Sequence, residues 1–298
     1  MNILIINSKC CLLVFILCRI CHLKENCTTI KRSGPNHKTG ILKSQANESY
    51  QNNIRCYYYF EALPDERVEL NFTVFDVNGV PPRCLHDFID IYTQLDSLNV
   101  SLLDVPSQGR YCGKDKENLP YLIISVKNIA LVDFHTDSSG DGKGFELIYR
   151  FFSDAIYKVG TKLQQYLCGF LISDLKEGTI LSPTYPGIYP DNIMCFYKFQ
   201  GEVGERIKLT FNDIDLYSGG NYCPFDHIKI YDGPNNEAHV IDTICGSRKV
   251  PIAFYSNGNY LQIFTVGESD ETPSQLRGFN ASFEIGTRFV DLSLVTLL

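Results

Sequence analysis

The sequence predicts an all-β chain of two antiparallel, jelly-roll-like β-sandwiches, and three observations carry that expectation. Apolar and polar residues alternate at period two in short segments, turn-forming residues separate those segments, and one long stretch of text occurs twice at an offset of 139 residues. At 298 residues the chain is long enough for two domains, each able to bury its own core. Alternation is plainest in VELNF (68–72) and IKLTF (207–211), as expected where one sheet face meets a core and the other meets water. Phe145, Leu147, Tyr149 and Phe151 repeat the pattern late in the first half, and Phe279, Ala281 and Phe283 late in the second. The breakers between these segments include Pro81 and Pro82, Ser218 to Gly220, and Asp232 to Pro234. No long amphipathic helical pattern is evident.

The duplication is explicit in the residues. YQNNIRCYYYFEALPDERVELNFTVFDV (50–77) lies over YPDNIMCFYKFQGEVGERIKLTFNDIDL (189–216) with 11 identities in 28 positions, and DFIDIY (87–92) lies over DHIKIY (226–231). Eight cysteines follow the same ruler: Cys27, Cys56, Cys84 and Cys112 in the first copy, Cys168, Cys195, Cys223 and Cys245 in the second. Four more, Cys10, Cys11, Cys18 and Cys21, fall in an N-terminal apolar stretch. Twelve cysteines would be a liability in a reducing compartment. The run CCLLVFILC (10–18) has the length of a signal-peptide core and is too short to span a bilayer, so residues 1–21 are read as a signal peptide and the mature chain as secreted, without a membrane span. A formal charge of −7 offers no footprint for a phosphate backbone, which excludes nucleic acid as a partner class. Sequence spacing leaves 105 ways to pair eight cysteines. A structural zinc site is the weaker reading, because the close C-x2-C knuckles that gather thiolates are missing.

These residues resemble the CUB family. The resemblance is carried by the four spaced cysteines per copy, the opening segment GTILSPTYPGIYP (178–190), the C-x-x-D turns at Cys84 to Asp87 and Cys223 to Asp226, and the closing Gly144-Phe145 and Gly278-Phe279. It covers residues 27–152 as domain 1 and 168–286 as domain 2, with 153–167 as linker and 287–298 as tail. The linker is not the Gly/Ser-rich text of a free tether, so the domains are expected to hold a limited range of mutual angles. Domain 1 departs from the family at its opening, where ILKSQANESY (41–50) lacks the prolines. The resemblance implies two disulfides per domain, Cys27 with Cys56, Cys84 with Cys112, Cys168 with Cys195, and Cys223 with Cys245. Each such loop would contribute roughly 3 to 4 kcal/mol through the unfolded state. More narrowly, RCYYYFEALPDERVEL, GRYCG (109–113) and NYCPFDHIKIYDG look like the suppressor-of-lurcher type of neuronal CUB protein, related in architecture to the neuropilin-and-tolloid-like type.

That resemblance implies a non-enzymatic extracellular module whose partner is a protein ectodomain, specifically a membrane receptor of the ionotropic glutamate class. The alternatives are a secreted adhesion or carbohydrate-binding CUB protein, and a fragment of a CUB-containing protease. Many CUB domains bind calcium, a hard cation that wants several oxygen ligands. Domain 1 offers Tyr50, Asp87 and Asp137 but has Asn78 in place of the family's glutamate; domain 2 offers Tyr189 and Asp226 but has Tyr217 and Gly267 at the two remaining acid positions. The expectation is therefore no cofactor, with those three domain 1 residues as the weak calcium candidates. DSSGDG (137–142) imitates an EF-hand loop, but Ile148 stands where the bidentate glutamate is needed.

Catalysis finds no motif: H-E-x-x-H and G-x-S-x-G are missing, and GDGKG (140–144) lacks the Lys-Ser/Thr ending of a phosphate loop. His86, His135 and His227 fall in predicted turns or strands and are read as structural. Tyr57 to Phe60 are read as strand packing, with alternate residues buried. Glycosylation sequons stand at Asn26, Asn47, Asn71, Asn99 and Asn280; Asn71 and Asn280 are expected on outward strand positions, where glycans would mask sheet faces.

Overall fold

The computed structural model describes residues 25–45, 49–114, 119–220, 222–248, 250–267 and 275–289. The signal segment 1–21, the sequon at Asn47, the Asn26 side chain and residues 290–298 lie outside the described residues. In the first domain the strands are β1 (Glu25–Arg32), β2 (Thr39–Lys43), β3 (Ile54–Glu61), β4 (Glu66–Asp76), β5 (Phe88–Leu95), β6 (Gly109–Tyr111), β7 (Ile123–Ile124), β8 (Ile129–His135) and β9 (Gly144–Ser153). The second has β10 (Thr161–Lys162), β11 (Cys168–Ile172), β12 (Glu177–Leu181), β13 (Ile193–Gln200), β14 (Arg206–Asp215), β15 (His227–Asp232), β16 (His239–Ile244), β17 (Ile252–Tyr255), β18 (Tyr260–Gly267) and β19 (Gly278–Gly286).

Each domain is a sandwich of two sheets. Domain 1 pairs a sheet of order β1-β3-β8-β5-β6 with one of order β2-β9-β4-β7, and domain 2 pairs β10-β11-β13-β18-β15-β16 with β12-β19-β14-β17. Period-two alternation drives this: Val68, Leu70 and Phe72 point inward and meet Tyr58, Phe60, Ile89, Ile91 and Phe134 of the facing sheet. Ile207, Leu209 and Phe211 do the same in domain 2 against Tyr197, Phe199, Ile228, Ile230 and Ile263. The antiparallel pattern has one exception per domain, since β1 runs parallel to β3 and β11 parallel to β13. The chain crosses to the second sheet for β2 or β12 and returns, and a strand reached through such a crossover lies parallel to its predecessor. Disulfides join Cys27–Cys56 and Cys168–Cys195 across those parallel pairs, between residues directly opposed in register, with Cα separations of 4.5 and 4.8 Å. Cys84–Cys112 and Cys223–Cys245 close the second loop of each domain.

The duplication extends to the backbone. Asn53 and Asn192, 139 residues apart, both take left-handed conformations with φ 58° and 53°, as do Cys84 and Cys223 with φ 44° and 50°. Asparagine tolerates this region because its short amide can bond locally, whereas most residues crowd their own carbonyl.

Tyr58 and Phe60 are core residues, while Tyr57 and Tyr59 face outward under a cover that spacing did not reveal. Leu98, Val100, Leu102 and Val105, in the loop holding the short 3-10 turn Leu102–Asp104, fold back over Tyr92, Leu95, Ile129 and Leu131 to make a satellite core on the outside of the first sheet.

The two domains share a joint built largely from the opening segment of domain 2. Ile188 sits in the apolar core of domain 1, and Val126 of domain 1 packs into the core of domain 2. The Ile188 N–H donates to Leu122 O at 2.8 Å. Buried Gln108 donates from Nε2 to Tyr189 O at 3.1 Å and accepts from Thr93 Oγ1 at 2.9 Å. Gln275 clasps the other side, accepting from the Tyr121 N–H at 2.8 Å and donating to Leu119 O at 3.0 Å. Tyr157, in the linker's 3-10 turn Asp154–Tyr157, donates to Tyr185 O at 2.6 Å, and Arg67 stacks 4.1 Å over its ring while donating to Ser125 O and Pro183 O. A Cβ at Gly187 would stand 2.7 Å from Leu122 O, so glycine is required by the closeness of the two backbones. The linker's Thr161–Lys162 extends the domain 2 sheet at β11.

Two outcomes follow from this architecture. Ile188→Asp, which places a charge in the domain 1 core, and Gly187→Val, which drives a side chain into Leu122, should each separate the domains while leaving both sandwiches folded. Small-angle scattering should show a larger radius of gyration and thermal unfolding should resolve into two transitions; an unchanged radius would show that the joint does not hold the domains. Asn53→Ala and Asn192→Ala should each cost about 1 kcal/mol in denaturant unfolding, with the glycine variants close to neutral, because only the left-handed conformation is penalised.

Candidate functional surfaces

At the loop end of domain 1 the C-x-x-D turn places Asp87 inside the sandwich mouth, fully buried. Tyr50 OH donates to Asp87 Oδ2 at 2.6 Å and itself accepts from the Asn78 N–H at 2.9 Å. Burial, then the Asp87 contact, raises the Tyr50 phenol above its ordinary range and keeps it a neutral donor. The Asp137 N–H donates to Asp87 Oδ1 at 2.7 Å, so both oxygens of Asp87 are used. Asp137 is likewise committed: Oδ1 accepts from the Ser139 N–H at 2.8 Å and Oδ2 meets His86 Nδ1 at 2.9 Å. The Ser139 N–H foremost, and then His86, hold Asp137 below the usual carboxylate range. Gly140 lies so close to the Asn78 amide that a Cβ there would run into it. The structure thus brings Tyr50, Asp87 and Asp137 together, with two carboxylates whose oxygens all accept hydrogen bonds from the protein. That donor set does not fit a calcium cage, which needs several uncommitted oxygens and usually a third charge.

Domain 2 diverges further. Tyr189 is buried and its hydroxyl lies 3.4 Å from Thr265 Oγ1, while Tyr217 packs its ring 5.6 Å from Phe225. A Cβ at Gly267 would be 2.6 Å from the Tyr189 ring, so no acid can stand there without displacing the tyrosine. Among the described residues no group of three or more His, Cys, Asp or Glu side chains is placed to hold a metal ion.

The outer face of the first sheet carries an arrangement that sequence reading missed. In domain 1, Asp133 of β8 stands directly opposite Asp90 of β5, and both are buried. Like charges in opposed strand positions destabilise a sheet unless countered. Arg55 reaches Asp133 through Nε at 3.1 Å and Nη2 at 2.6 Å, and Arg110 reaches Asp90 at 2.8 and 2.7 Å, giving two bidentate pairs in the order Arg-Asp-Asp-Arg. The Asp133 hydrogen bonds raise the Arg55 guanidinium, and the Asp90 bonds that of Arg110. Arg110 lies 3.6 Å over the Phe88 ring, which stacks on His135 at 4.6 Å. An aspartate inside IALVDFH and another inside FIDIY were the available signals, since a charge in an apolar run demands a partner.

The same face of domain 2 is aromatic. Phe196, Phe264 and Lys229 occupy the positions of Tyr57, Asp133 and Asp90, with Phe196 and Phe264 centroids 4.8 Å apart, Tyr166 at 4.0 Å from Phe196, and Met194 beside them 57% exposed. His227 Nδ1 contacts Phe225 O at 2.7 Å. His86, His135 and His227 therefore each have a structural contact, and the eight described cysteines are all in disulfides. Of the sequons, Asn71 and Asn99 are exposed. Asn280 lies on the outward side of β19 between buried Phe279 and Ala281, and is only partly exposed, beside the Tyr185 hydroxyl that donates to Asp213 Oδ2, with its Oδ1 enclosed.

Among the described residues no helix is long and apolar enough to cross a membrane. The CUB domain family matches residues 32–149 and 168–283. Human cubilin is 33% identical over 257 residues, covering 84% of this chain and 6% of its own length. Human tolloid-like protein 2 is 27% identical over 274 residues, covering 81% of this chain and 25% of its own. The chain thus spans a quarter or less of these relatives. The CUB1-EGF-CUB2 domains of rat MASP-1 align with 86% of this chain and 99% of theirs, at 21% identity and a TM-score of 0.35. Matched over both repeats, the chain belongs to the CUB domain family as a tandem pair of extracellular protein-binding modules.

Proposed function

We propose that the chain is a non-enzymatic, secreted binding protein of the suppressor-of-lurcher type, acting as an auxiliary partner of an ionotropic glutamate receptor ectodomain. The observation that carries the reading is the residue-level resemblance of RCYYYFEALPDERVEL, GRYCG and NYCPFDHIKIYDG to that type. Its geometry supports a binding role: two sandwiches joined through Ile188, Gln108 and Gln275 offer one ion-paired face and one aromatic face. Catalysis is not part of the proposal, because no catalytic motif stands in the sequence, His86, His135 and His227 have structural contacts, and the described cysteines are in disulfides. The alignment with tolloid-like protein 2 favours one alternative, a piece of a CUB-containing protease, which downstream coding sequence for a catalytic domain would reveal.

Recordings from cells expressing ionotropic glutamate receptors, with and without this chain, test the proposal. Altered gating at equal surface expression is the expected result, and unchanged currents across receptor classes with folded protein present would overturn it. The proposal includes no bound cofactor. Millimolar calcium should leave the thermal midpoint unchanged, because Asp87 and Asp137 are already satisfied; a rise that Asp87→Asn abolishes would instead place the ion in domain 1.

A further inference from the structure

The outer face of the second sheet in domain 1 carries an apolar row beside a sequon. Ile41 of β2, Ile148 of β9 and Asn71 of β4 are register partners across three adjacent strands. Ile41 is 59% exposed and Ile148 43%, both large aliphatics on a face that also carries charged side chains, Thr73 and exposed Val74. Lys43 pairs with Glu146 on one side of the row, and Arg150 with Glu69 on the other. The third place is taken by Asn71, the asparagine of Asn71-Phe72-Thr73, whose side chain is exposed while Phe72 is fixed in the core. Thr73 is also exposed, donating from Oγ1 to Glu146 O at 3.2 Å.

We propose that Asn71 carries an N-linked glycan whose first sugars lie across Ile148 and Ile41 and cover them. The inference rests on the secretory reading of the chain. Two independent features meet at this place: a complete Asn-x-Thr acceptor with an open side chain, and adjoining aliphatic surface that soluble proteins usually keep small or covered. The less polar faces of pyranose rings suit such a strip, and the flanking ion pairs leave the sugar hydroxyls polar neighbours. Asn280 makes the contrast. Its side chain is only partly exposed, beside the Tyr185 hydroxyl and with Oδ1 enclosed, so it offers a glycan less room than Asn71 does.

The test is glycopeptide mass spectrometry on the full chain secreted from eukaryotic cells, with N-glycosidase release to mark occupied asparagines. Asn71 should be occupied. Asn71→Gln and Thr73→Ala, which remove the acceptor by different routes, should both raise binding of an apolar fluorescent dye and promote self-association, and Ile148→Thr added to Asn71→Gln should reverse both changes. Asn71 bare with Asn99 occupied would overturn the glycan while leaving secretory passage intact. Both asparagines bare would likewise overturn the glycan, whereas a chain retained inside the cells and never recovered from the medium would overturn the secretory reading. Occupied Asn71 with no change in dye binding on its removal would overturn the covering of the aliphatic pair.

Discussion

Seating Ile188 in the core of domain 1 is the contact on which the rest of the molecule's geometry depends. The residue belongs to the second repeat by sequence and to the first by packing. Burying such a side chain is worth roughly 1.5 to 3 kcal/mol. The joint adds a hydrogen bond from Gln108 to the Tyr189 carbonyl, which would otherwise be buried without a partner, and Gln275 adds two more to the Tyr121 N–H and Leu119 O nearer the surface. Arg67 and Tyr157 close the remaining side, with burial pushing the Tyr157 phenol up to about 12 so that it stays a neutral donor to Tyr185 O. The opening segment of the second repeat, SPTYPGIYP, lies against domain 1, with the Ile188 N–H bonded to Leu122 O and Ile188 in the domain 1 core.

On that fixed frame the two copies present different chemistry from the same scaffold positions. The Arg-Asp-Asp-Arg row works only as a set. Removing Arg55 would strand Asp133 in a buried site, a change that typically costs a few kcal/mol, whereas the arginines are 41% exposed and would keep contact with water and the Tyr57 and Phe88 rings. Domain 2 has none of the four: Met194, Phe264, Lys229 and Thr243 stand at those positions, and Phe264 stacks on Phe196 where domain 1 has its charge row. Of the possible intermediates, those that lose an arginine before its aspartate leave an unpaired buried charge, so the order of exchange matters.

Strand alternation, the repeat and the exposed position of Asn71 were legible in the sequence because period two and turn residues are local signals. Tyr58 and Phe60 are core for the same reason. The joint was not legible, because it links residues 119–126 to residues 183–190 and 275, segments without periodicity whose partners are distant along the chain. The satellite core was hidden similarly: Leu98, Val100 and Val105 alternate with polar residues in what reads as a turn-rich loop. For Asn280, strand parity predicts the outward direction but not the Tyr185 side chain beside it. At the domain 1 loop end the sequence named Tyr50, Asp87 and Asp137, but it could not say that each carboxylate oxygen would be claimed by a neighbouring N–H, hydroxyl or imidazole.

A fixed angle between domains matters for a binding protein because association is charged for every freedom it removes. If the two sandwiches swung independently, a partner touching both would have to immobilise the second after capturing the first. With Ile188 and Gln108 already buried between them, that ordering is completed during folding. A partner that touched both domains would then pay no further entropic cost to fix one against the other. The loop end of domain 1 follows the same logic on a smaller scale: Tyr50, Asp87, Asp137 and His86 hold one another, so its shape is set by the chain's own donors. Recognition would consequently vary with the side chains on a rigid frame, the condition under which exchanging charges for rings between duplicated domains changes specificity without changing fold.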